Sequence, residues 1–258
     1  MLKHETIKDD HCQRISFTVA DEDSLARMIA LVLVQEFTLA KSLLAGATVT
    51  PELATIALEA DEIEDIISRR LKPKDVYHRD GYLFQLIMWL AAHLDLRKGD
   101  LVALPHAQAS GKGQDSIVVH RDDAAVAALS ICEDKATENP RDTVREEVWP
   151  EIQAYEAGGR RDELRSNIIA TLGLGRVPSK EAEQLVRQIS WEGKRRYRVR
   201  VTVEDTRDSK LFKGFADIVS GDVARRRGET LYQPKLRDWM TNLAGKVESV
   251  LRTYVRSK

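Results

Sequence analysis

The sequence predicts an α/β protein in which a mixed β-sheet core is flanked by helices, and three observations carry that expectation. One helical segment, Tyr82 to Leu96, is apolar around most of its circumference, the signature of a buried helix. Three strand-like pieces follow it directly, at Leu101 to Leu104, Asp115 to His120 and about Ala125 to Lys135. Helical patterns then resume with period 3.6. With 258 residues, 43% of them hydrophobic, the chain is long enough to bury a full core.

Taken in order, Ile15, Phe17 and Val19 alternate with polar or small residues and predict a short strand. A single long helix is expected from about Ser24 to Leu44, closed by Gly46. Thr50 and Pro51 read as a cap and first-turn proline for a second helix, with the stripe Leu53, Ile56, Ile63, Ile66 and Ile67 ending near Pro73. After the buried helix and its three strands, Asn139 and Pro140 start a helix with the face Val144, Val148, Trp149, Ile152 and Tyr155, stopped by Gly158 and Gly159. Another helix runs from about Arg161 to Leu172, so the central unit reads αβββαα. A helix near Lys180 to Ile189, strands at Arg195 to Val203 and Phe212 to Val219, and a helix from about Lys235 to Tyr254 complete the chain. The expected division is a mainly helical segment 1–75, a core 76–175 and an α/β segment 176–258 that is continuous with the core or separate from it.

Composition excludes more than it selects. The 40 basic and 41 acidic residues nearly cancel, so any nucleic-acid binding must come from local patches rather than the whole-molecule field. Cys12 and Cys132 are too far apart for metal-ligand spacing, which argues against a zinc cluster or a disulfide framework and fits a reducing cytoplasm. No apolar signal core is present and no stretch is long enough to span a bilayer, so an unexported cytoplasmic protein without membrane contact is expected. His78, His93, His106 and His120 lack the spacing of a zinc hydrolase. The run Ser110-Gly111-Lys112-Gly113 lacks the remaining elements of a nucleotide-binding loop.

The chemistry-bearing constellation lies on the hairpin. An acid two residues before a lysine is a weak signal, since chance supplies about two to three such pairs in a chain of this composition. Three occur, at Glu133/Lys135, Glu192/Lys194 and Asp208/Lys210, and the first alone directly follows an apolar strand. On a strand, residues 133 and 135 project to one face. An antiparallel hairpin centred near residue 124 then stands Asp115 across from Glu133, roughly 4.5 to 5.5 Å apart at Cβ. Two facing carboxylates repel, and a hard divalent cation such as Mg²⁺ neutralises them while leaving positions for water and phosphate. Lys135 sits beside that position. The bland alternative is that these charges are the solvated ends of two strands.

The order buried helix, strand, hairpin with GQD115SIVV, SICE133DK135, then helix resembles the PD-(D/E)xK nuclease superfamily, over roughly residues 80 to 172. That resemblance implies a restriction-endonuclease-like core and Mg²⁺- or Mn²⁺-dependent hydrolysis of phosphodiesters in DNA, in restriction or antiviral defence. It also implies Asp115, Glu133 and the backbone carbonyl of Asp134 as metal ligands and Lys135 as the catalytic lysine. Gln114 replaces the motif's proline. Members often carry a further glutamate on the preceding helix, where this chain offers Gln85, itself readable as a hydrogen-bonded core residue.

Lys112 and the row Arg196, Arg198 and Arg200 are candidate contacts to a nucleic-acid backbone, and Arg225-Arg226-Arg227 could serve likewise. A solvated outer strand face is the competing reading for both arginine runs. Two alternatives stand beside a self-sufficient nuclease. One is a non-catalytic module that binds nucleic acid or protein. The other is a nuclease active only with a partner helicase or sensor protein. A homo-oligomer is compatible with all three.

Overall fold

The computed structural model describes residues 1–47, 56–105, 115–122, 125–188 and 191–256. The elements run β1 (Leu2–Ile7), β2 (Gln13–Val19), α1 (Glu22–Leu33), α2 (Phe37–Leu44), α3 (Ala60–Ile66), α4 (Val76–His93), β3 (Leu101–Val102), β4 (Ser116–Asp122) and β5 (Ala125–Lys135). There follow α5 (Pro140–Thr143), a π-helical turn Val144–Val148, α6 (Trp149–Glu156), α7 (Arg161–Leu174), α8 (Ser179–Gln188), α9 (Trp191–Lys194), β6 (Arg195–Val203), α10 (Phe215–Ile218), β7 (Arg226–Tyr232) and α11 (Leu236–Arg252). The expected class, a mixed α/β protein with helices flanking a mixed sheet, is the one observed.

The chain divides into two units, one of residues 1–3, 18–95 and 233–258 and the other of 4–17 and 96–232. These bounds differ from the boundaries expected at 75 and 175. The reason is pairing: β6 and β7 join β5 in one sheet, so most of the C-terminal segment belongs with the hairpin.

In the first unit, α1 packs on α4 and α11, burying Leu25 and Ile29, Phe84 and Ile87, and Met240 and Leu243. Asp21 caps α1, accepting from the Ser24 amide at 2.9 Å. The single helix expected over 24–44 is two helices. Gln35 takes a left-handed φ of 64°, which interrupts the ladder between α1 and α2. Gly46, with φ 87°, follows α2 as expected. The expected helix start at Thr50 and Pro51, with Leu53, lies outside the described residues. In α4 most side chains are buried, and Asp80, 0% exposed, receives Arg79 at 2.8 Å and Arg237 of α11 at 2.7 Å.

In the second unit, among the described residues, seven strands form one sheet in the order β1-β2-β7-β6-β5-β4-β3. The pairs β2/β7, β7/β6 and β6/β5 are parallel, whereas β5/β4 and β4/β3 are antiparallel. Ile117, Val119, Leu129, Ile131, Tyr197, Val199 and Val201 point to one face, where they form a core with Val144, Val148 and Ile152 and with Ile168 and Leu172 of α7. A strand expected over Phe212 to Val219 is absent: Gly214 turns the chain with φ 95° and α10 follows. Phe212, Phe215 and Val219 are each buried, a helical spacing rather than an alternating one. The sheet position goes to β7, whose arginine-rich start had read as a surface patch.

Candidate active site

Register decides what the hairpin can do. Ser116 faces Cys132, Ile117 faces Ile131 and Val118 faces Ser130, and the pairing slips only at a bulge between His120 and Arg121. Continued by one residue, this register sets Asp115 opposite Glu133. The Asp115 amide donates to the Cys132 carbonyl at 3.1 Å, and its Oδ2 accepts from the Asp134 amide at 2.6 Å. Asp115 is therefore tied to the backbone beside Glu133 at both its own amide and its carboxylate.

Glu133 is 4% exposed, and among the described residues its Oε1 has no hydrogen-bond partner. Burial, and next the charge of Asp115, push its carboxyl well above the usual range. Lys135 lies two residues further on the same strand face. Burial works against its ammonium, but Glu133, Asp115 and Glu147 outweigh burial and raise its pKa. Its Nζ is 3.5 Å from Glu147 Oε2. An anion-rich, partly desolvated corner with one ammonium is the result.

The neighbouring residue points the other way. Asp134 is buried on the opposite face in a two-point ion pair with Arg200, whose Nη2 donates to Oδ2 at 2.8 Å. Its side chain is thereby excluded as a ligand on the Glu133 face, and the backbone carbonyl alone is left for the role that the resemblance implies. Cys132 shares the Asp134 face and is fully buried, which pushes its thiol up to about 11.

The arginine row needs correction. The alternation in β6 is as expected, but the strand is central, lying between β5 and β7, and not an outer face. Arg198 is 5% exposed and donates to Glu229 at 2.7 Å, while Arg200, 1% exposed, is held by Asp134. Burial opposes ionisation of Glu229, yet Arg198, Arg227 and Arg200 prevail and hold its pKa down to about 2. These guanidinium groups neutralise carboxylates inside the sheet and cannot track a nucleic-acid backbone. Arg196 is half-buried. Of the second run, Arg225 binds Glu156 at 2.8 Å, Arg226 binds the Val219 carbonyl at 2.7 Å and Arg227 binds Glu229, so it too is structural. Lys112 lies outside the described residues, as do Gln114 and His106.

Three side chains near the site were missed from sequence. Glu147, Glu151 and Tyr155 recur every four residues across the π-helical turn and α6, and together they border the Glu133 and Lys135 corner. The charge of Glu151 adds to the upward push on Glu133, and Glu133 in turn raises the pKa of the buried Tyr155. Arg160 closes this row, donating to the Tyr155 hydroxyl at 3.4 Å and pairing with Glu151 at 3.3 Å. The spacing is present in the sequence, but Tyr155 reads there as part of the helix's apolar face, and nothing local says which strand that helix faces. Gln85, on α4, belongs to the first unit and is half-buried.

Compared with models of protein families and with curated proteins, the chain matches none.

Among the described residues no group of three or more histidine, cysteine, aspartate or glutamate side chains is arranged to hold a metal ion. Two carboxylates do converge, and the buried, unpartnered Glu133 Oε1 beside Asp115 is the donor set that a hard cation suits when water and phosphate supply its other oxygens. A second polar chain on the opposite face has no such opening. His120 Nδ1 lies 2.9 Å from Asp100 and Nε2 2.8 Å from Ser130 Oγ, but Ser130 is 3% exposed in mid-strand. Among the described residues no helix is long and apolar enough to cross a membrane.

Proposed function

We propose that this protein is a Mg²⁺- or Mn²⁺-dependent nuclease that hydrolyses phosphodiester bonds in DNA, acting in the cytoplasm in restriction or antiviral defence. The observation that carries the reading is the strand register that sets Asp115 opposite the buried Glu133, with Lys135 on the same strand face. The chain order that resembles the PD-(D/E)xK superfamily supports it, and the defence role rests on that resemblance alone.

In this reading Asp115 and Glu133 hold the cation, with the Asp134 backbone carbonyl as a further oxygen donor. When bound, a divalent cation supplies Lewis-acid polarisation of the phosphate and a lowered pKa for water. The chain's own residues do the rest. Asp115, anchored by the Asp134 amide, keeps its carboxylate fixed toward the site. Burial and the charge of Asp115 disfavour ionisation of Glu133 in the metal-free protein, and the charge of a bound cation would offset both and favour its carboxylate form. Lys135 carries a full positive charge and offsets the negative charge that develops as water attacks the phosphorus in line.

Divalent-dependent cleavage of DNA should disappear in Glu133→Ala and in Lys135→Ala, with thermal unfolding still cooperative. Unchanged cleavage in both variants would falsify the assignment. A second reading, a non-catalytic module with this fold, draws on the lack, among the described residues, of three or more side chains arranged to hold a metal ion. Divalent stabilisation separates the two: a nuclease is stabilised by Mg²⁺ and loses that effect in Asp115→Ala, whereas a binding module is indifferent.

A further inference from the structure

The π-helical turn Val144–Val148 is where the helix after β5 passes the site. Its defining bond runs from the Trp149 amide to the Val144 carbonyl, five residues apart, and both Val144 and Val148 are 0% exposed in the core. Such turns alter the phase of a helix, and they recur at functional sites. Here Val144 and Val148 stay in the core while Glu147 reaches Lys135 Nζ at 3.5 Å. Glu147 is itself 59% exposed, on the solvent side of the ammonium.

We infer that Glu147 is a positioning residue that holds the Lys135 ammonium at the phosphate site. The inference rests on the nuclease reading above and adds a residue to it. Lysine is a point charge on a flexible four-carbon stem, with no shape of its own to fix its direction. In the metal-free protein Glu133 and Asp115 also attract it. A divalent cation taken up by those carboxylates would cancel that attraction and repel the ammonium directly. Glu147 is the anion on the other side, and it is not among the cation's ligands. It keeps Lys135 close enough to face the phosphate when the other two carboxylates no longer can.

The test uses the full chain and two readouts. In ¹⁵N-labelled protein, metal-free and with Mg²⁺, the Lys135 ammonium resonance should shift and lose protection in Glu147→Gln, more so with Mg²⁺, and return in Glu147→Asp. In cleavage assays, Glu147→Gln should lower kcat by roughly fivefold, the scale of one half-exposed ion pair, with KM and the Mg²⁺ midpoint unchanged. Glu147→Asp should recover most of the rate. A Lys135 resonance identical in wild type and Glu147→Gln overturns the inference whether or not the chain cleaves, as does a Glu147→Gln kcat equal to that of wild type. Failure of the nuclease reading is a different result, namely cleavage that survives Glu133→Ala.

Discussion

Adjacent residues on one strand can have opposite fates, and Glu133 and Asp134 are the case in point. Glu133 is buried beside a second carboxylate, and its folded-state pKa lies above the value in the unfolded chain. A group of that sign contributes stability below its unfolded pKa of 4.5 and loses it as pH rises through the folded value. In chelator at neutral pH, Glu133→Gln should therefore stabilise the protein, by about 1–3 kcal/mol in denaturant titration, while abolishing its response to Mg²⁺. A destabilised Glu133→Gln would count against the buried-charge account. Asp134 is the reverse. Removing it strands the fully buried Arg200, so Asp134→Ala should cost about 3–5 kcal/mol. His93 gives an independent acid limb: burial lowers its pKa to about 4, with the Trp89 carbonyl 2.8 Å from Nδ1. A depressed base contributes stability above 6.5 that is lost as pH falls toward 4. The slope of stability over that window should flatten in His93→Gln, and an unaltered slope would remove His93 from the explanation.

At the scale of elements, the parallel run β5, β6 and β7 is what turns an ordinary hairpin into a candidate site. It places β6 centrally, so its arginines are consumed by Asp134 on one side and Glu229 on the other. It also requires a close approach at Gly228 on β7, where the Phe212 ring fills the space that a Cβ would occupy. Gly228→Ala should destabilise by about 1–3 kcal/mol through overpacking, and Phe212→Leu in the same chain should return part of that loss. Equal stability of Gly228→Ala and wild type would mean that the segment 211–219 is not held against the sheet.

At the scale of the whole molecule, the net charge of −1 gives no general attraction to nucleic acid, and the arginine runs that might have supplied a patch are spent inside the sheet. In the proposed nuclease, affinity for DNA would then come largely through the cation and the site itself. Binding of Mg²⁺ to the folded chain alone should raise stability by about 2.7 kcal/mol at a hundredfold excess over Kd. Hydrogen exchange should localise the protection to β4 and β5, and none should remain in Asp115→Ala. Uniform protection, or protection confined to residues 18–95, would place the cation elsewhere.

What was legible in the sequence was whatever depends on local periodicity. The buried α4, the β4/β5 hairpin, β6 to the residue and α7 all follow from alternation or from 3.6-residue spacing, and the hairpin register follows from its turn. Since period two is strict on a strand, Asp115, Glu133 and Lys135 could be set on one face before any tertiary contact was known. Three things could not be read that way. The left-handed Gln35 splits a continuous apolar pattern, because a single backbone angle leaves no trace in hydrophobic spacing. Burial of Arg198 and Arg200 depends on the strands that flank β6, a long-range pairing that alternation cannot report. The nearness of Glu147 to Lys135 depends on how a helix lies across a strand. Local periodicity therefore places the two carboxylates and the lysine on one strand face, whereas long-range packing settles which arginines are structural and which glutamate stands behind the lysine.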